Sequence, residues 1–400
     1  MPRFGRPRRP EAPAGRAGID RHIVELRRTF HRRPELAFEE AETARTIMAE
    51  LDRLGIDYRY DGVGSAVVGR LPGPPGAPVV ALRAEMDGLP AEEKTGLPFA
   101  SEVAGRMHAC GHDAHMAMVL GAAALHREDP PEGTVVYLFQ PAEERGGGAR
   151  VPLESGALDD VQAIFAGHVT HHYRVGEIMV TAGTVTAQSD GFHIRIEGKG
   201  GHGARPHEAI DAVIVVGMLI SSIQSLVTRE IDPVHPSVVT IGRIQAGTAS
   251  NVIAEDAILE GTIRTTRPQV REHLHRGLER LCRAASELHR AEVTVELRSG
   301  YPPVVNSPRE AEIAAAAARD VVGPERIVVQ EHPSMGSEDF GFLLQRIPGC
   351  YVRFGSRGAD DLYVPLHSPH FDVDERILPI GAAWFDAVSR RALERLGTEG

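Results

Sequence analysis

The sequence of 400 residues contains little cysteine, lysine or aromatic side chain, and it lacks long apolar runs. Its three cysteines, Cys110, Cys282 and Cys350, are too few and too scattered for a disulfide framework, which favours a reducing cytoplasm. No apolar run approaches the ~20 residues that span a bilayer, and the N-terminus lacks the apolar stretch of a signal peptide. We therefore expect a cytoplasmic protein that does not associate with a membrane.

Positive charge is also in short supply. The chain has 44 basic and 55 acidic residues, giving a net charge of -11, and this excess of acid disfavours nucleic acid as a partner. Five arginines concentrate in residues 1–18, which we expect to form a disordered basic tail. Six of the 19 histidines fall close together in the first half of the chain, beside many carboxylates.

The order of strand-like and helical segments predicts two domains. Buried strands such as PVVALRAE, GTVVYLFQ and VQAIFAGHV alternate with helical segments, which indicates an α/β domain with a mostly parallel sheet. We expect this domain to be discontinuous, formed by residues 19–186 and 300–400. Residues 187–299 instead show a β-α-β-β-α-β order, which is typical of a ferredoxin-like sandwich, and they form an inserted domain.

Polar side chains gather where these buried strands are predicted to end. Asp87 follows one strand, Glu143 and Glu144 follow a second, and His168 ends a third. Because functional groups collect at the carboxyl ends of parallel strands, this coincidence indicates an active site.

The segment MHACGHDAH, residues 107–115, offers potential metal ligands. Cys110 and His112 are separated by one residue ahead of a predicted helix, so both side chains can face one cavity. Thiolate and imidazole together suit zinc, and also nickel, cobalt or iron. Taken alone, the same pair is better explained as a buried structural cysteine beside ordinary surface histidines.

The segment QPAEERGGGA, residues 140–149, places two carboxylates at the end of a buried strand. Such a pair is costly unless a cation or a proton separates the charges, so one glutamate can bind a metal while the other acts as a general base. Alternatively, Glu143 and Glu144 begin a solvated helix. His168 and His367, the latter in LHSPHFD before the last helix, complete a possible ligand set.

Taken together, the motifs resemble one family. RAEMDGLP, MHACGHDAH, QPAEE, GKGGHGARPH, GTASNVIAEDAILEGTIRT, GSEDF and LHSPHF occur in the order seen in the metal-dependent amidohydrolases. That family includes hippurate hydrolases, auxin-conjugate hydrolases and bacterial N-acyl-amino-acid deacylases. The resemblance extends from about residue 20 to the C-terminus, and it is the combination of motifs that is specific.

The resemblance implies two divalent metal ions per chain, zinc or manganese, with nickel or cobalt as alternatives. Cys110 would bridge the two metals, and Glu143 would be the general base that takes a proton from the metal-activated water. Asp87 would not bind a metal itself but would orient one of the metal ligands by a hydrogen bond. The remaining ligands would be His112 and His168 for one metal, and Glu144 and His367 for the other.

The resemblance also assigns roles in the inserted domain. His202 would stabilise the oxyanion of the tetrahedral intermediate, and Asn251 and Arg264 would hold the substrate carboxylate. The inserted domain would act as a lid and join two chains in a homodimer, or further pair them in a tetramer. The chain departs from the family at Glu85 and Gly88, where RADMDALP is usual, and in the extra histidines His171 and His172.

The expected reaction is therefore hydrolysis of the amide bond in an N-acyl amino acid or a similar small conjugate. Hippurate, N-acetyl amino acids, indole-acetyl amino acids and N-acetyl-diaminopimelate all fit the motifs. A metallo-aminoacylase or dipeptidase acting on small peptides is the alternative enzyme. A cysteine hydrolase using Cys110 would leave Glu143, Glu144 and His367 without a role, and a non-catalytic metal-binding scaffold would have no need of Glu143.

Overall fold

The computed structural model describes residues 15–399, and within them the chain forms nine α-helices. Most of the predicted tail therefore lies outside the described residues, although its residues 16–18 belong to the first helix. The helices are α1 (Arg16–Arg32), α2 (Ala41–Leu54), α3 (His112–Glu128), α4 (Arg150–Glu154), α5 (Ala212–Glu230), α6 (Pro268–His289), α7 (Pro308–Val322), α8 (Phe340–Leu344) and α9 (Ile377–Glu399).

The same residues contain sixteen strands. They are β1 (Asp57–Tyr60), β2 (Val67–Leu71), β3 (Val79–Glu85), β4 (Thr134–Gln140), β5 (Ala163–Arg174), β6 (Ile178–Met179), β7 (Gly183–Thr184), β8 (Gln188–Glu197), β9 (Gly201–His202), β10 (Ser237–Ala246), β11 (Val252–Ile253), β12 (Asp256–Thr265), β13 (Glu292–Ser299), β14 (Val305–Asn306), β15 (Ile327–Val328) and β16 (Gly349–Arg357).

The described chain divides into two compact units. The first comprises the described residues up to Gly183, Val305–Glu331, and the described residues from Phe342 onward. The second comprises Thr184–Val304 and His332–Gly341. The segment His332–Gly341 lies within the range 300–400 that was predicted to belong to the catalytic domain. It belongs to the second unit because Ser334 bridges Thr186 and donates its N–H to the carbonyl of Val185, a pairing between distant segments that no local pattern predicts.

An eight-stranded sheet organises the first unit, in the order β1-β2-β4-β3-β5-β16-β6-β15. Its centre is parallel, since β3 pairs in parallel with both β4 and β5, and β5 with β16. The prediction of an α/β fold with a mostly parallel sheet is therefore confirmed. Helices α3 and α9 pack against each other and against β3 and β5, where they bury the apolar residues of the core.

The second unit contains a four-stranded antiparallel sheet in the order β10-β12-β8-β13. Helices α5 and α6 pack against each other and on this sheet, burying a separate apolar core. Helix α5 does not extend back to Pro206 but begins at Ala212. Residues 206–208 form a short 3-10 turn instead, and the Asp211 side chain caps α5 by accepting the N–H of Val213 at 2.9 Å.

Helix α5 is an exception to the expectation that no segment is apolar enough to span a bilayer. Among the described helices it is the one that is long and apolar enough to cross a membrane by length and composition. Its buried residues recur on one face and pack into the core of the second unit, as an amphipathic helix on a sheet does. They are Ala212, Val215, Val216, Leu219, Ile223 and Leu226.

Candidate metal centre

Two carboxylate segments follow neighbouring parallel strands of the first unit. Asp87 comes two residues after β3, and Glu143 and Glu144 come shortly after β4. His168 was predicted to end its strand, and this was wrong. Strand β5 continues to Arg174 because its polar residues still pair with β16, up to Arg174 opposite Arg357. The apolar pattern ends at Val169, but Thr170 and His171 are still buried, so the change to polar residues marks the end of neither burial nor pairing.

Cys110 and two histidines form a buried group of potential ligands. One ligand atom from each of Cys110, His112 and His168 lies within 4.8 Å of the others. The Cys110 Sγ is 3.3 Å from Nε2 of His168. Gly111 permits this arrangement, because it has φ of +83° and because a Cβ at that position would collide with the Val169 side chain. The turn lets α3 begin at His112 while Cys110 faces the same cavity.

A second group shares the same sulfur atom. Cys110, Glu144 and His367 also offer ligand atoms within 4.8 Å of one another. Nε2 of His367 lies 3.2 Å from Oε1 of Glu144, and the carboxylates of Glu143 and Glu144 group with His112. Cys110 is therefore the side chain common to two adjacent ligand groups.

Hydrogen bonds set the orientation of the ligand histidines. Nδ1 of His112 lies 2.8 Å from the Asp87 carbonyl oxygen, to which it donates, so Nε2 keeps its lone pair. That Nε2 is buried and has no hydrogen-bond partner among the described residues. His168 is arranged in the same way, with Nδ1 2.7 Å from the Val169 carbonyl oxygen. Both rings thus present the nitrogen that a metal ion requires.

Asp87 connects the two ligand groups. Its Oδ2 accepts the main-chain N–H of Glu144 at 2.9 Å, while its Oδ1 lies 3.3 Å from Nδ1 of His112. Asp87 therefore holds two candidate ligands in place: it binds the main-chain N–H of Glu144, and it lies beside the imidazole ring of His112. This is the geometry expected of a carboxylate that orients ligands without binding the metal itself.

The buried group of potential ligands carries an excess of negative charge, which a bound cation would neutralise. Burial raises the pKa of the Cys110 thiol, and the charges of Glu144 and Glu143 raise it further. Burial alone would lower the pKa of His112, but its hydrogen bond with Asp87 and the charge of Glu85 raise it to about 10. Both shifts reflect an excess of negative charge in the group, which a divalent ion would neutralise while taking the place of the protons on the sulfur and on Nε2 of His112. The mixture of sulfur, nitrogen and oxygen donors suits zinc and its neighbours. The residues present therefore fit a metal pair.

Two loops that carry candidate ligands contain strained backbone. His367 and Ala142 adopt φ angles of 66° and 53°, in the left-handed region that non-glycine residues avoid. The His367 N–H donates to the Ala109 carbonyl at 2.8 Å, and the Ala142 N–H donates to Oε1 of Glu40 at 2.8 Å. The surrounding contacts thus hold both turns in a conformation that costs free energy, as at many functional sites.

A buried network of three polar side chains behind the candidate ligands was missed as a functional feature. Nδ1 of His115 lies 2.8 Å from Oε2 of Glu85, which also forms an ion pair with Arg83. All three side chains are buried. The sequence did carry a signal, because Arg83 and Glu85 interrupt an otherwise apolar strand two residues apart and so share one face.

His171 connects strand β5 to the loop that carries His367. Its Nδ1 accepts the Val364 N–H at 3.2 Å, and its Nε2 lies 2.8 Å from the Asp372 carbonyl oxygen. The ring therefore bridges the two ends of a segment that contains His367. His172, in contrast, is exposed and lies against the ring of Tyr363.

Within the second unit, His202 and Asn251 come together. Strand β9 pairs with β11, so His202 lies opposite Val252, next to Asn251. His202 is exposed, and its Nδ1 accepts the Ala204 N–H at 3.0 Å, which leaves Nε2–H free to donate. Arg264 lies on β12 and donates through Nη1 to the Met335 carbonyl and to Ser337 Oγ, at 3.1 and 3.2 Å.

Comparisons with known proteins agree with this centre. The chain matches the model of peptidase family M20/M25/M40 over residues 81–391. It is 39% identical to IAA-amino acid hydrolase ILR1-like 4 of Arabidopsis thaliana, over 94% of this chain and 86% of that one. It is 37% identical to N-acetyl-L-cysteine deacetylase of Bacillus subtilis, over 93% and 88% of the two chains.

A solved structure provides the same comparison in three dimensions. The YXEP protein of Bacillus subtilis, described as a dinuclear metal binding peptidase from the M20 family, superimposes with a TM-score of 0.82. The two sequences are 34% identical, over 94% of this chain and 99% of that one. These relatives confirm the predicted class of enzyme, a metal-dependent hydrolase of amide bonds, and the chain belongs to peptidase family M20/M25/M40.

Proposed function

We propose that the chain hydrolyses the amide bond of N-acyl amino acids or similar small conjugates, using two divalent metal ions. The observation that carries the proposal is the position of Cys110, whose sulfur is common to two ligand groups beside the carboxylate of Glu143. His112 and His168 would complete one metal site, and Glu144 and His367 the other. Zinc or manganese fits this donor set, with nickel or cobalt as alternatives.

When bound, the metal ions supply Lewis acidity, which makes water a better nucleophile at neutral pH and polarises the substrate carbonyl. Glu143 accepts the proton that water loses and passes it to the leaving amine. This assignment is supported by its burial among the ligands, where the neighbouring Glu144 is the member paired with His367. Asp87 keeps both His112 and Glu144 oriented while the reaction proceeds.

The second unit supplies the groups that bind substrate. His202 donates from Nε2–H to the oxyanion, a role supported by the hydrogen bond that already occupies its Nδ1. Asn251 and Arg264 bind the substrate carboxylate. Arg264 is an apt residue because a guanidinium recognises a carboxylate through paired hydrogen bonds.

The choice of substrate rests on the relatives. One is named for hydrolysis of IAA-amino acids and another for deacetylation of N-acetyl-L-cysteine, and both substrates are acylated amino acids. Hippurate-like, N-acetyl and indole-acetyl amino acids are therefore the first compounds to test. A metallo-aminoacylase or dipeptidase that cleaves small peptides is the alternative. A cysteine hydrolase is disfavoured, because burial raises the pKa of the Cys110 thiol and so lowers its nucleophilicity.

We also infer a cytoplasmic homodimer, or a tetramer built from such dimers, through residues 187–299. Strand β10 lies at an edge of its sheet, where Val238 and Ile244 are exposed. Val213 and Ile214 expose further apolar surface on α5. An open edge beside apolar surface favours pairing with a second copy. The three cysteines are unpaired and buried, as suits a reducing compartment.

A panel of substrates assayed with several metal ions tests the function. N-acyl amino acids that vary in acyl group and side chain are compared with dipeptides, using enzyme loaded with zinc, manganese, nickel or cobalt. We expect turnover of the acyl amino acids, loss of activity with a chelator, and recovery when metal is restored. Faster cleavage of dipeptides would favour the alternative enzyme. Activity that resists chelation would contradict metal catalysis, and complete inactivity of metal-loaded protein would favour a scaffold.

A further inference from the structure

A surface cleft of the first unit is lined by four arginines. Its volume is about 290 Å³. Arg174 ends β5, Arg357 ends β16, Arg326 precedes β15 and Arg376 precedes α9, so each arginine comes from a different segment. No aspartate or glutamate is among the described residues that line the cleft, whose remaining wall is formed by Val175, Gly176, Ala359 and Ile380.

Three of the four guanidinium groups have no charge partner. Arg376 forms an ion pair with Asp374, but Arg174, Arg326 and Arg357 form none within the part of the chain that the structure describes. The nearby Glu177 accepts the main-chain N–H of Arg174 at 2.7 Å rather than its side chain. The lining of the cleft therefore carries an excess of positive charge, although the carboxylates of Asp361 and Asp374 lie nearby beside Gly358 and the chain as a whole has a net charge of -11.

Arg357 adds a second observation. Its Nε is buried and has no hydrogen-bond partner among the described residues. A buried donor without an acceptor costs free energy, and so does the proximity of like charges. An oxyanion in the cleft would offset the repulsion between the like charges and would accept hydrogen bonds from the guanidinium groups that line it.

We propose that this cleft binds a phosphate group. A phosphate carries close to two negative charges and several acceptor oxygens, and planar guanidinium groups bind it through paired hydrogen bonds. The cleft is small, so it suits free phosphate or a small phosphomonoester. Val175, Ala359 and Ile380 offer apolar contacts for the organic part of such an ester.

The cleft is separate from the candidate metal centre. Arg174 lies six residues beyond His168 on β5, which corresponds to about 20 Å along an extended strand. None of the proposed metal ligands is among the residues that line it. The proposal therefore does not depend on the proposed reaction.

Titration calorimetry with inorganic phosphate tests the site, using the full-length, metal-loaded protein at constant ionic strength in chloride buffer. We expect saturable binding that weakens about tenfold or more in Arg357→Gln and in Arg326→Gln, since each loses a charge-assisted hydrogen bond. Arg283→Gln, which removes an exposed arginine from α6 in the other unit, is the matched control and should bind like the wild type.

Thermal unfolding separates binding from folding. Arg357→Gln removes an uncompensated charge, so without phosphate its unfolding midpoint should equal or exceed that of the wild type. Phosphate should raise the midpoint of the wild type more than that of the variant. Phosphate binding that is unchanged in both cleft variants and disappears with a chelator would belong to the metal ions and would overturn the proposal, as would the absence of binding.

A comparison of two ligands identifies the source of the phosphate group. Glycerol phosphate and inorganic phosphate are titrated separately into the wild type and into Arg357→Gln. Tighter binding of the ester, lost in the variant, would indicate a phosphorylated metabolite. Equal or weaker binding of the ester would indicate free phosphate. Both outcomes support the site provided that Arg357→Gln weakens them.

Discussion

The main-chain N–H of Val169 donates a hydrogen bond to Nε2 of His115 at 2.9 Å. Because that ring nitrogen must accept, the proton of a neutral His115 lies on Nδ1, from which it is donated to Glu85. Val169 directly follows His168. The buried pair of Glu85 and His115 therefore supports the backbone that presents a proposed metal ligand.

We accordingly expect Glu85→Gln to weaken metal retention. The amide cannot match the charge of the carboxylate beside His115 and Arg83, and such supporting partners are worth about 10- to 100-fold in metal affinity. Metal loss during titration with a chelator measures the effect. His126→Gln is the matched control, since His126 is equally buried but hydrogen-bonded to Tyr137 and Ser389. If both variants retained metal equally well, Glu85 would have only a structural role in packing.

The roles of the adjacent residues Glu143 and Glu144 should be distinguished by replacing each with glutamine, which has nearly the same shape. Glu143→Gln should keep the fold and the metals yet lose roughly 10²- to 10⁴-fold in kcat, because an amide cannot accept a proton from water. Glu144→Gln should instead release metal more readily. Metal content and kcat are measured on the same preparations. Near-wild-type kcat in metal-replete Glu143→Gln would remove this residue from the mechanism.

Arg264 should discriminate substrates by their carboxylate. Arg264→Ala is expected to lower kcat/KM for N-acyl amino acids by about 10-fold or more, through the loss of a charge-assisted pair. An analogue with a blocked carboxyl group should be little affected. Ser337→Ala is the control, because it removes one structural partner of Arg264 but not the guanidinium. Equal losses on both substrates would make Arg264 a structural residue.

His202 should act on the active site of the partner subunit, with hinge closure of the second unit bringing it there. Mixing inactive His202→Ala chains with inactive Glu143→Gln chains tests this, since each mixed dimer would contain one complete site. At equal amounts and full exchange, about a quarter of wild-type activity should return. Dimers that demonstrably exchange without regaining activity would place His202 within its own chain or outside catalysis.

His31 should make stability depend on pH. Burial alone would lower its pKa, but hydrogen bonds with Asp113 and Glu93 raise the pKa from 6.5 to about 9, against the opposing charge of Arg27. The stabilisation is therefore fully present below pH 6.5 and is lost as the pH rises through about 9.

Urea unfolding at several pH values measures this contribution, which the shift limits to about 3 kcal/mol. We expect the free energy of unfolding of the wild type to fall between pH 6.5 and 9 relative to that of His31→Asn. His22→Asn is the control, because His22 lies on the same helix but is more exposed. Parallel curves for the wild type and His31→Asn would contradict the role of His31.

The grouping of most of the proposed ligands could be predicted from sequence because they lie in short motifs after strands or at the start of a helix. Asp87, Glu143 and Glu144 follow β3 and β4, and the carboxyl ends of parallel strands meet at one edge of a sheet. The cluster of Cys110 and His112 lies at the start of α3, another position that a local pattern indicates. The positions of these residues relative to the predicted strands and helix are therefore enough to predict that they cluster.

Other features depend on contacts between distant segments and could not be predicted. Strand β5 extends past His168 because β16 pairs with it, and β16 begins some 180 residues later. The left-handed conformation of His367 is uncommon for a non-glycine residue, and it is held by the hydrogen bond from its N–H to the carbonyl of Ala109, more than 250 residues earlier. Helix α5 begins only at Ala212, because Ile210 pairs with Lys199 as extended chain.

The pairing of β5 with β16 also bears on the order in which the protein matures. During synthesis, Ala163–Arg174 leaves the ribosome long before Gly349–Arg357, so the central sheet lacks an interior strand until most of the chain has been made. His367 emerges later still. A nascent chain thus contains Cys110, His112, Glu144 and His168 before His367 has been made, so the proposed pair of metal sites can be completed only near the end of synthesis.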